Sequence, residues 1–599
     1  MSSSTKKWNI APPAPSEFIA EHPELPEIIA RLLWNRGFKT QTEIDEFLNP
    51  DYSTDIHDPF LFKDMPKAVD IIFAAINNGS KITVHGDYDA DGVCASVIII
   101  SALKKLGARD VEVFLPHRET DGYGLNKKTV QYLKDTGTQL IITCDCGISN
   151  TPEVTLAKEL GLNVVITDHH AMPKAFPPAD AIIHPLVPGE TYPDKTLAGG
   201  GVAFKLVQGL LAEHKKTNAT LPGGGSHEVF EKWLLDLVAI STVADLVPLH
   251  GESRTLVRYG LTVLNKTKNL GLKKMLLMAG LIDDAGKPKR GTFSTQTIGF
   301  QIAPRINAAG RMDHANVAFK LLMAETDAEA TALALQLNQN NTDRQKVTEE
   351  LTALARKQIA ETNQTDNPIL FVYGKEWSAG VLGIVASRIK DEFYRPIFVM
   401  CDNQGNIVGS GRSVIEFNMI KTLQAHPELF SKFGGHPQAC GFTLASPATL
   451  ETFKTILLEE ARQGTKGVDL VPQINVDAEV DLDDVSWKLY DILQKFEPFG
   501  KTNDEPRYVA YGVEIVSVDP VGQDGKHLRL LVKHHSHTMK KTIAFGFGDC
   551  DRHPANWKEC LKPGDKVDLV FTINVNEWNG TRELQLMLED MKQHLPPTP

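Results

Sequence analysis

The sequence predicts an α/β protein with two α/β lobes joined by a long helix, a C-terminal OB-like β-barrel and a helical N-terminal segment. Three observations carry this. Short apolar runs alternate with helical stretches from residue 61 to about 200, the pattern of a mainly parallel sheet. Residues 326–361 read as one long helix or two in sequence, spanning about 50 Å at 1.5 Å per residue, which suits a connector. Past Val471, five strand-like runs with basic and aromatic faces fit a small barrel of the kind that binds single strands.

In order, residues 1–60 are Pro-punctuated and helical, with "PEIIARLLWNRG" and "TQTEIDEFL" as amphipathic pieces. Residues 61–260 form the first lobe. Its strands are "KITVHG", "VEVFLP", "QLIITC", "NVVIT" and "AIIHP"; "CASVIIISALKKLG", "TPEVTLAKELG" and "FEKWLLDLVAISTVADLV" are helical. "PGGGSHE" near Gly223 lacks the Gly-Lys-Ser/Thr of a phosphate loop and reads as a plain loop. Residues 261–360 are a basic helical region and the connecting helix, 361–466 the second lobe, and 467–592 the barrel.

The 599 residues suggest roughly four domains. A content of 42% hydrophobic and 23% charged residues is ordinary for a globular protein. No run approaches the ~18 apolar residues of a membrane helix, and "MSSSTKKWNIAPPAP" has no apolar signal core, so no membrane partner and a cytoplasmic location are expected. Seven scattered cysteines fit a reducing compartment, and Cys144 and Cys146 read as thiols packed at a strand end. The net charge of −12 argues against a coat for duplex DNA. Basic residues are nevertheless concentrated. Arg254 to Arg311 holds eleven Lys or Arg against Asp283 and Asp284, and Lys526 to Lys541 holds five against none. Such segments can hold a polyanion.

"VHGDYDADGV" places Asp87, Asp89 and Asp91 at alternate positions after an apolar strand. Like charges this close call for a cation. A calcium EF-hand loop starting at Asp87 would need Glu at its twelfth position, where Ile98 stands, and a helix rather than a strand before it. A strand-end reading fits better. His85, Asp89 and Asp91 end one strand, Asp145 the next, and Asp168, His169 and His170 a third; Asp245 ends a helix. Carboxyl ends of parallel strands open on one crevice, so these groups should meet. Asp89, Asp91, Asp145 and Asp245 balance two divalent ions, without which each close pair would repel by roughly 4 kcal/mol at an effective dielectric of 20. Oxygen ligands with imidazoles suit Mn²⁺, with Mg²⁺ possible and Zn²⁺ less suited without a thiolate. A pair of such ions can stabilise both the attacking and the leaving oxygen of a phosphoryl group.

"HGDYDADG", "DCG", "DHH" and "VADLVPL", in this order, resemble the four motifs of the DHH phosphoesterases, and "WSAGVLGIVASRI" and "FGGHPQACGF" resemble their DHHA1 partner domain. "EPFG" and the barrel, with "VGQDGKHLRL" and "VNEWNG", resemble that family's single-strand-specific exonucleases. The resemblance covers nearly the whole chain. It implies a metal-dependent enzyme that degrades single-stranded DNA from the 5′ end to mononucleotides in repair and recombination, working with a single-strand-binding protein and a helicase. It implies one ion on His85, Asp89 and Asp145 and a second on Asp91, Asp145, His169 and Asp245. His170 would face the scissile phosphate and Asp168 would orient a histidine. Asp87 is left as a structural turn or an outer partner of the metals. Thr502 and Asp504 in "GKTNDEP" stand where the family has Gly and Pro, which bears on that turn.

Candidate strand contacts follow. Arg118 is expected on a phosphate and Tyr123 on a base; Arg305, Asn307 and Arg311 on the backbone; Arg412, Ser413, Gly435 and His436 where glycines let a phosphate approach. Lys526, Arg529, Lys533, Lys540, Lys541 and Trp578 of the barrel would hold the trailing strand. A cleft between the lobes would exclude duplex. Two alternatives are a related phosphodiesterase of short oligonucleotides or cyclic dinucleotides, which would not need a distant basic barrel, and a non-catalytic single-strand-binding scaffold, which should have lost metal ligands.

Overall fold

The computed structural model describes residues 6–289, 291–536, 538–549, 556–578 and 581–595. It divides into two compact units, one of residues 51–468 with 500–502, the other of 1–50, 469–499 and 503–599.

The first unit is built on a five-stranded parallel sheet of β1 (Ile82–His85), β2 (Val111–Phe114), β3 (Leu140–Cys144), β4 (Asn163–Thr167) and β5 (Ala181–Ile183). The order is β2-β1-β3-β4-β5. β1 therefore has successors on both sides, and the loops after β1 and β3 diverge to leave a crevice at their carboxyl ends. Helices α1 (Ala90–Lys105), α2 (Gly199–Lys215) and α3 (Leu235–Ala244) share a core of Val97, Ile98, Leu206, Val238 and Ile240. α1 is buried almost throughout, which explains the continuous apolar run in "CASVIIISAL".

Helix α4 runs unbroken from Asp327 to Glu361, started by Thr326, whose side chain accepts the Glu329 N–H. Ala330, Ala334 and Leu337 pack into the first lobe's core, and Leu351, Ala355 and Ile359 into the second's. The second lobe's sheet has β6 (Leu370–Gly374), β7 (Ile397–Asn403), β8 (Asn406–Arg412), β9 (Phe430–His436) and β10 (Ala439–Leu444), in the order β9-β10-β8-β7-β6. Only β6 and β7 run parallel.

The second unit holds a closed barrel of β11 (Tyr508–Val521), β12 (His527–Lys533), β13 (Met539–Ala544), β14 (Lys566–Trp578) and β15 (Thr581–Gln593). The order β11-β12-β13-β15-β14 closes through β11 and β14, with β13 and β15 as the parallel pair, as in an OB fold. The N-terminal helices Glu27–Asn35 and Gln41–Leu48 join this unit. Leu32 and Phe47 share its core, Phe47 meets Phe496 edge-on at 5.2 Å, and Arg36 pairs with Asp477 at 3.1 Å. Lys7–Ile10 adds a strand parallel to Gln473–Val476.

Thr502 has φ +63°, the left-handed region that glycine tolerates and a β-branched residue does not. Thr502→Gly is therefore expected to stabilise the protein by about 1 kcal/mol, read as a higher melting temperature; an unchanged or lower one would show the turn is unstrained.

Candidate active site

The acidic side chains meet at the crevice after β1 and β3. Asp89 is the N-cap of α1, its Oδ1 accepting the N–H groups of Asp91 at 2.9 Å and Gly92 at 3.1 Å. Asp91, in the first turn, is fully buried and accepts the N–H groups of Gly199 at 2.8 Å and Gly200 at 2.7 Å and the Ser241 hydroxyl at 2.5 Å. The positive end of α2 thus grips this carboxylate. Asp145 follows β3 with φ +60°, its N–H donating to the Thr167 carbonyl at 3.1 Å. Asp245 is the C-cap of α3.

His169 ties these together. Its Nε2 lies 3.1 Å from Asp145, 3.5 Å from Asp245 and 3.7 Å from Asp91. Three groups of side chains bring their ligand atoms within 4.8 Å of one another: Asp145, His169 and His170; Asp91, His169 and Asp245; Asp87, Asp89 and Asp145. Asp87 therefore joins the cluster itself.

The charges explain the titration. Burial, then the neighbouring carboxylates, push Asp87, Asp89 and Asp145 upward, and burial with Asp91 and Asp89 pushes Asp245 up to about 8. His85 is pushed down to about 4 by burial, so it is a neutral imidazole. Its Nε2 and Asp87 Oδ1 are buried without a hydrogen-bond partner. Crowded carboxylates beside an orphaned imidazole nitrogen and carboxylate oxygen are the donor set that hard divalent cations take. Cys144 and Cys146 are buried thiols, Cys146 Sγ lying 3.6 Å from His85 Nδ1.

Asp168 is completely buried and holds the two histidines. Its Oδ1 accepts the N–H groups of His169 at 2.7 Å and His170 at 3.1 Å and meets His170 Nδ1 at 2.8 Å; its Oδ2 accepts the Ile148 N–H at 3.0 Å. Burial alone would lower the His170 pKa, but the hydrogen bond to Asp168 and the charges of Asp168, Asp245 and Asp91 outweigh it and raise it to about 9. The folded value lies above the unfolded ~6.5, so this stabilisation is complete below pH 6.5 and is lost as pH rises through 9. In the cation-free chain, Asp168→Asn is expected to move the His170 titration, followed by NMR, down by at least about one unit. An unshifted titration would mean the other carboxylates set it.

The expected strand contacts divide. Arg118 stacks its guanidinium 4.0 Å over the Tyr88 ring, and its Nε is buried without a partner. Arg311 donates to the Gly380 carbonyl at 2.8 Å, linking the lobes; burial and then the charges of Arg118, Arg344 and Arg412 lower it to about 10. Arg118 lies near both Asp87 and Asp89, and Arg311 near Asp89, as opposite charges. Asn307 accepts the Ala90 N–H at 2.8 Å, and Arg305 reaches the Gln301 carbonyl at 2.7 Å. Tyr123 donates its hydroxyl to the Asp145 carbonyl at 3.1 Å and sits 3.0 Å from His170 Nδ1, with its ring partly exposed. Arg412 donates to Ser410 Oγ at 3.0 Å, and the buried Ser413 hydroxyl is spent on the Phe417 carbonyl at 2.7 Å. Gly435 and His436 face Cys440 and Ala439 in the β9–β10 hairpin.

In the barrel, Lys526 and Arg529 are exposed, whereas Lys533 pairs with Glu514 at 2.9 Å, Lys541 with Glu583 at 2.8 Å, and Lys540 donates to the Val485 carbonyl at 2.7 Å. The Trp578 side chain lies outside the described residues, as does Arg290 of the basic stretch. Arg254 of that stretch is 2% exposed and cannot contribute to a surface field.

Gly199, Gly200, Ser241 and Arg344 were missed in the sequence reading. The signal for the first two was "LAGGG" opening a helix; an arginine inside a long polar helix carries none.

Family models match over three segments: the DHH family N-terminal domain at 81–242, the DHHA1 domain at 366–463 and the RecJ OB domain at 476–590. The single-stranded-DNA-specific exonuclease RecJ of Bacillus subtilis is 36% identical over 98% of this chain and 71% of its own length. That of Escherichia coli is 31% identical over 95% and 96%. The crystal structure of Thermus thermophilus RecJ in complex with Mn²⁺ superposes with a TM-score of 0.80 at 28% identity, covering 98% of this chain and 80% of that one. A Mg²⁺ complex gives 0.74 at 26% identity, covering 98% and 79%. Among the described residues no helix is long and apolar enough to cross a membrane. Identity above 30% over nearly the whole chain, together with a RecJ OB domain at 476–590, means that the chain belongs to the RecJ family of single-stranded-DNA-specific exonucleases.

Proposed function

We propose that this protein hydrolyses single-stranded DNA from the 5′ end to 5′-mononucleotides at the acidic centre, using two divalent cations, Mn²⁺ or Mg²⁺. The observation that carries the reading is the convergence of Asp89, Asp91, Asp145, His169 and Asp245 on one crevice beside the unpartnered His85 Nε2 and Asp87 Oδ1.

One cation would rest on His85, Asp89 and Asp145, the other on Asp91, Asp145, His169 and Asp245. Asp87, grouped with Asp89 and Asp145, is a further ligand candidate for the first. When bound, such a pair lowers the pKa of water and offsets the charge of a phosphoryl group in its transition state. The chain's own residues do the rest. Asp168 fixes the ring of His170, which as a cation donates to a phosphate oxygen. Arg118, Arg311, Arg412 and Arg344 take the 5′-terminal phosphates, and Tyr123 stacks the terminal base. Lys526 and Arg529 hold the strand on the barrel. Cooperation with a single-strand-binding protein and a helicase, in the cytoplasm, belongs to the same reading.

Digestion of 5′-labelled and 3′-labelled single strands tests it. With Mn²⁺ the 5′ label is expected to leave at once as a mononucleotide and the 3′ label last, and a chelator should stop both. Release of the 3′ label first would overturn the polarity.

A further inference from the structure

A second group of cation-binding side chains lies in the barrel unit: Asp481, His534 and His535, whose ligand atoms are within 4.8 Å of one another. His534 Nδ1 is 3.1 Å from Asp481 Oδ1, and His535 Nδ1 is 2.6 Å from Asp481 Oδ2. The two rings stack at 3.8 Å, 29° from parallel.

The hydrogen positions follow from the partners. His534 Nε2 lies 2.9 Å from the Tyr511 carbonyl, which can only accept, so Nε2 carries the hydrogen. In the neutral ring Nδ1 then presents a lone pair. The Leu482 N–H points at the same nitrogen at 3.4 Å and needs that lone pair. In that neutral ring the lone pair faces the Asp481 carboxylate oxygen at 3.1 Å, the arrangement of two donors turned toward one cation. A proton on Nδ1 would satisfy Asp481, but it would set that hydrogen against the Leu482 N–H. A divalent cation among the three donors would take the Nδ1 lone pairs and the carboxylate together.

The geometry points to a binding site for a divalent transition cation of the zinc class at Asp481, His534 and His535, clipping the segment before the barrel to the turn after β12. Two imidazoles and a carboxylate are a donor set zinc takes, with water completing the shell. The Tyr511 carbonyl on the distal nitrogen is the outer partner that fixes a ligating histidine's tautomer. This site differs from the acidic centre in carrying fewer carboxylates than imidazoles, which favours zinc over manganese or magnesium.

The test uses the full-length chain stripped with a chelator and equilibrated with Zn²⁺ or Co²⁺. His535→Ala alters an exposed side chain, and Asp481→Asn is the second variant. Wild type is expected to retain one more equivalent of zinc than either variant, to melt several degrees higher with zinc than without, and to show a cobalt spectrum with nitrogen ligands that both variants lose. Mn²⁺-supported exonuclease activity should stay at the wild-type level in His535→Ala, which establishes that the variant is folded. Equal zinc content and an equal zinc-dependent melting shift in wild type and both variants would overturn the site.

Discussion

Asp145→Asn is expected to reduce Mn²⁺-supported release of nucleotides by about 10³-fold, the loss typical of removing one preorganised charge-stabilising group. Asp145 stands in two of the three ligand groups, with His169 and His170 and with Asp87 and Asp89. It is held there by a left-handed backbone at the end of β3, with its N–H on Thr167 and its carbonyl on the Tyr123 hydroxyl. Asn keeps the shape and these main-chain bonds and removes the charge. The loss should fall on kcat, with KM for a long strand little changed, because the phosphate and barrel contacts are elsewhere. Wild-type turnover would refute a shared ligand at this position.

Gly199→Ala is expected to lower kcat by about 100-fold without touching a charged group. A Cβ at Gly199 would lie 2.6 Å from Asp145 Cβ and 2.7 Å from its Oδ1. Gly199 also donates its N–H to Asp91, so relieving the clash must displace either the Asp145 carboxylate or the start of α2 that grips Asp91. A shift near 1 Å at a reacting centre costs about two orders of magnitude. Steady-state kinetics and Mn²⁺ titration together read this: kcat and cation affinity should fall while the far-ultraviolet circular dichroism is retained. Unaltered kcat would mean the helix start slides aside without moving either carboxylate.

The site was legible to the extent that it is local. His85 ends β1, Asp145 and His169 follow β3 and β4, Asp89 and Asp91 open the helix after β1 and Asp245 caps α3, all beside elements visible as apolar runs, and the parallel-sheet rule sends strand ends to one crevice. Asp87 was left open because its side chain could be placed only once its distance to Asp89 and Asp145 was known. The basic segments were less informative. Lys533, Lys540 and Lys541 all read as strand contacts, yet each has an internal partner, since a residue's charge does not say which carboxylate or carbonyl lies across the sheet. Ser413 likewise turns inward to Phe417.

The sequence by itself determined the alternation of strands and helices, the helical character of residues 326–361 and the identity of the acid-bearing strand ends, because these depend on periodicity and on order along the chain; that 327–361 is one unbroken helix was decided by the structure. Only the tertiary structure decided that Gly199, Gly200 and Ser241 hold Asp91, that Arg118, Arg344 and Arg412 lie near Arg311, and that residues 6–50 belong to the barrel's unit. Those facts are contacts between segments tens to hundreds of residues apart. They are set by which surfaces pack together, and no local pattern in the chain encodes that choice.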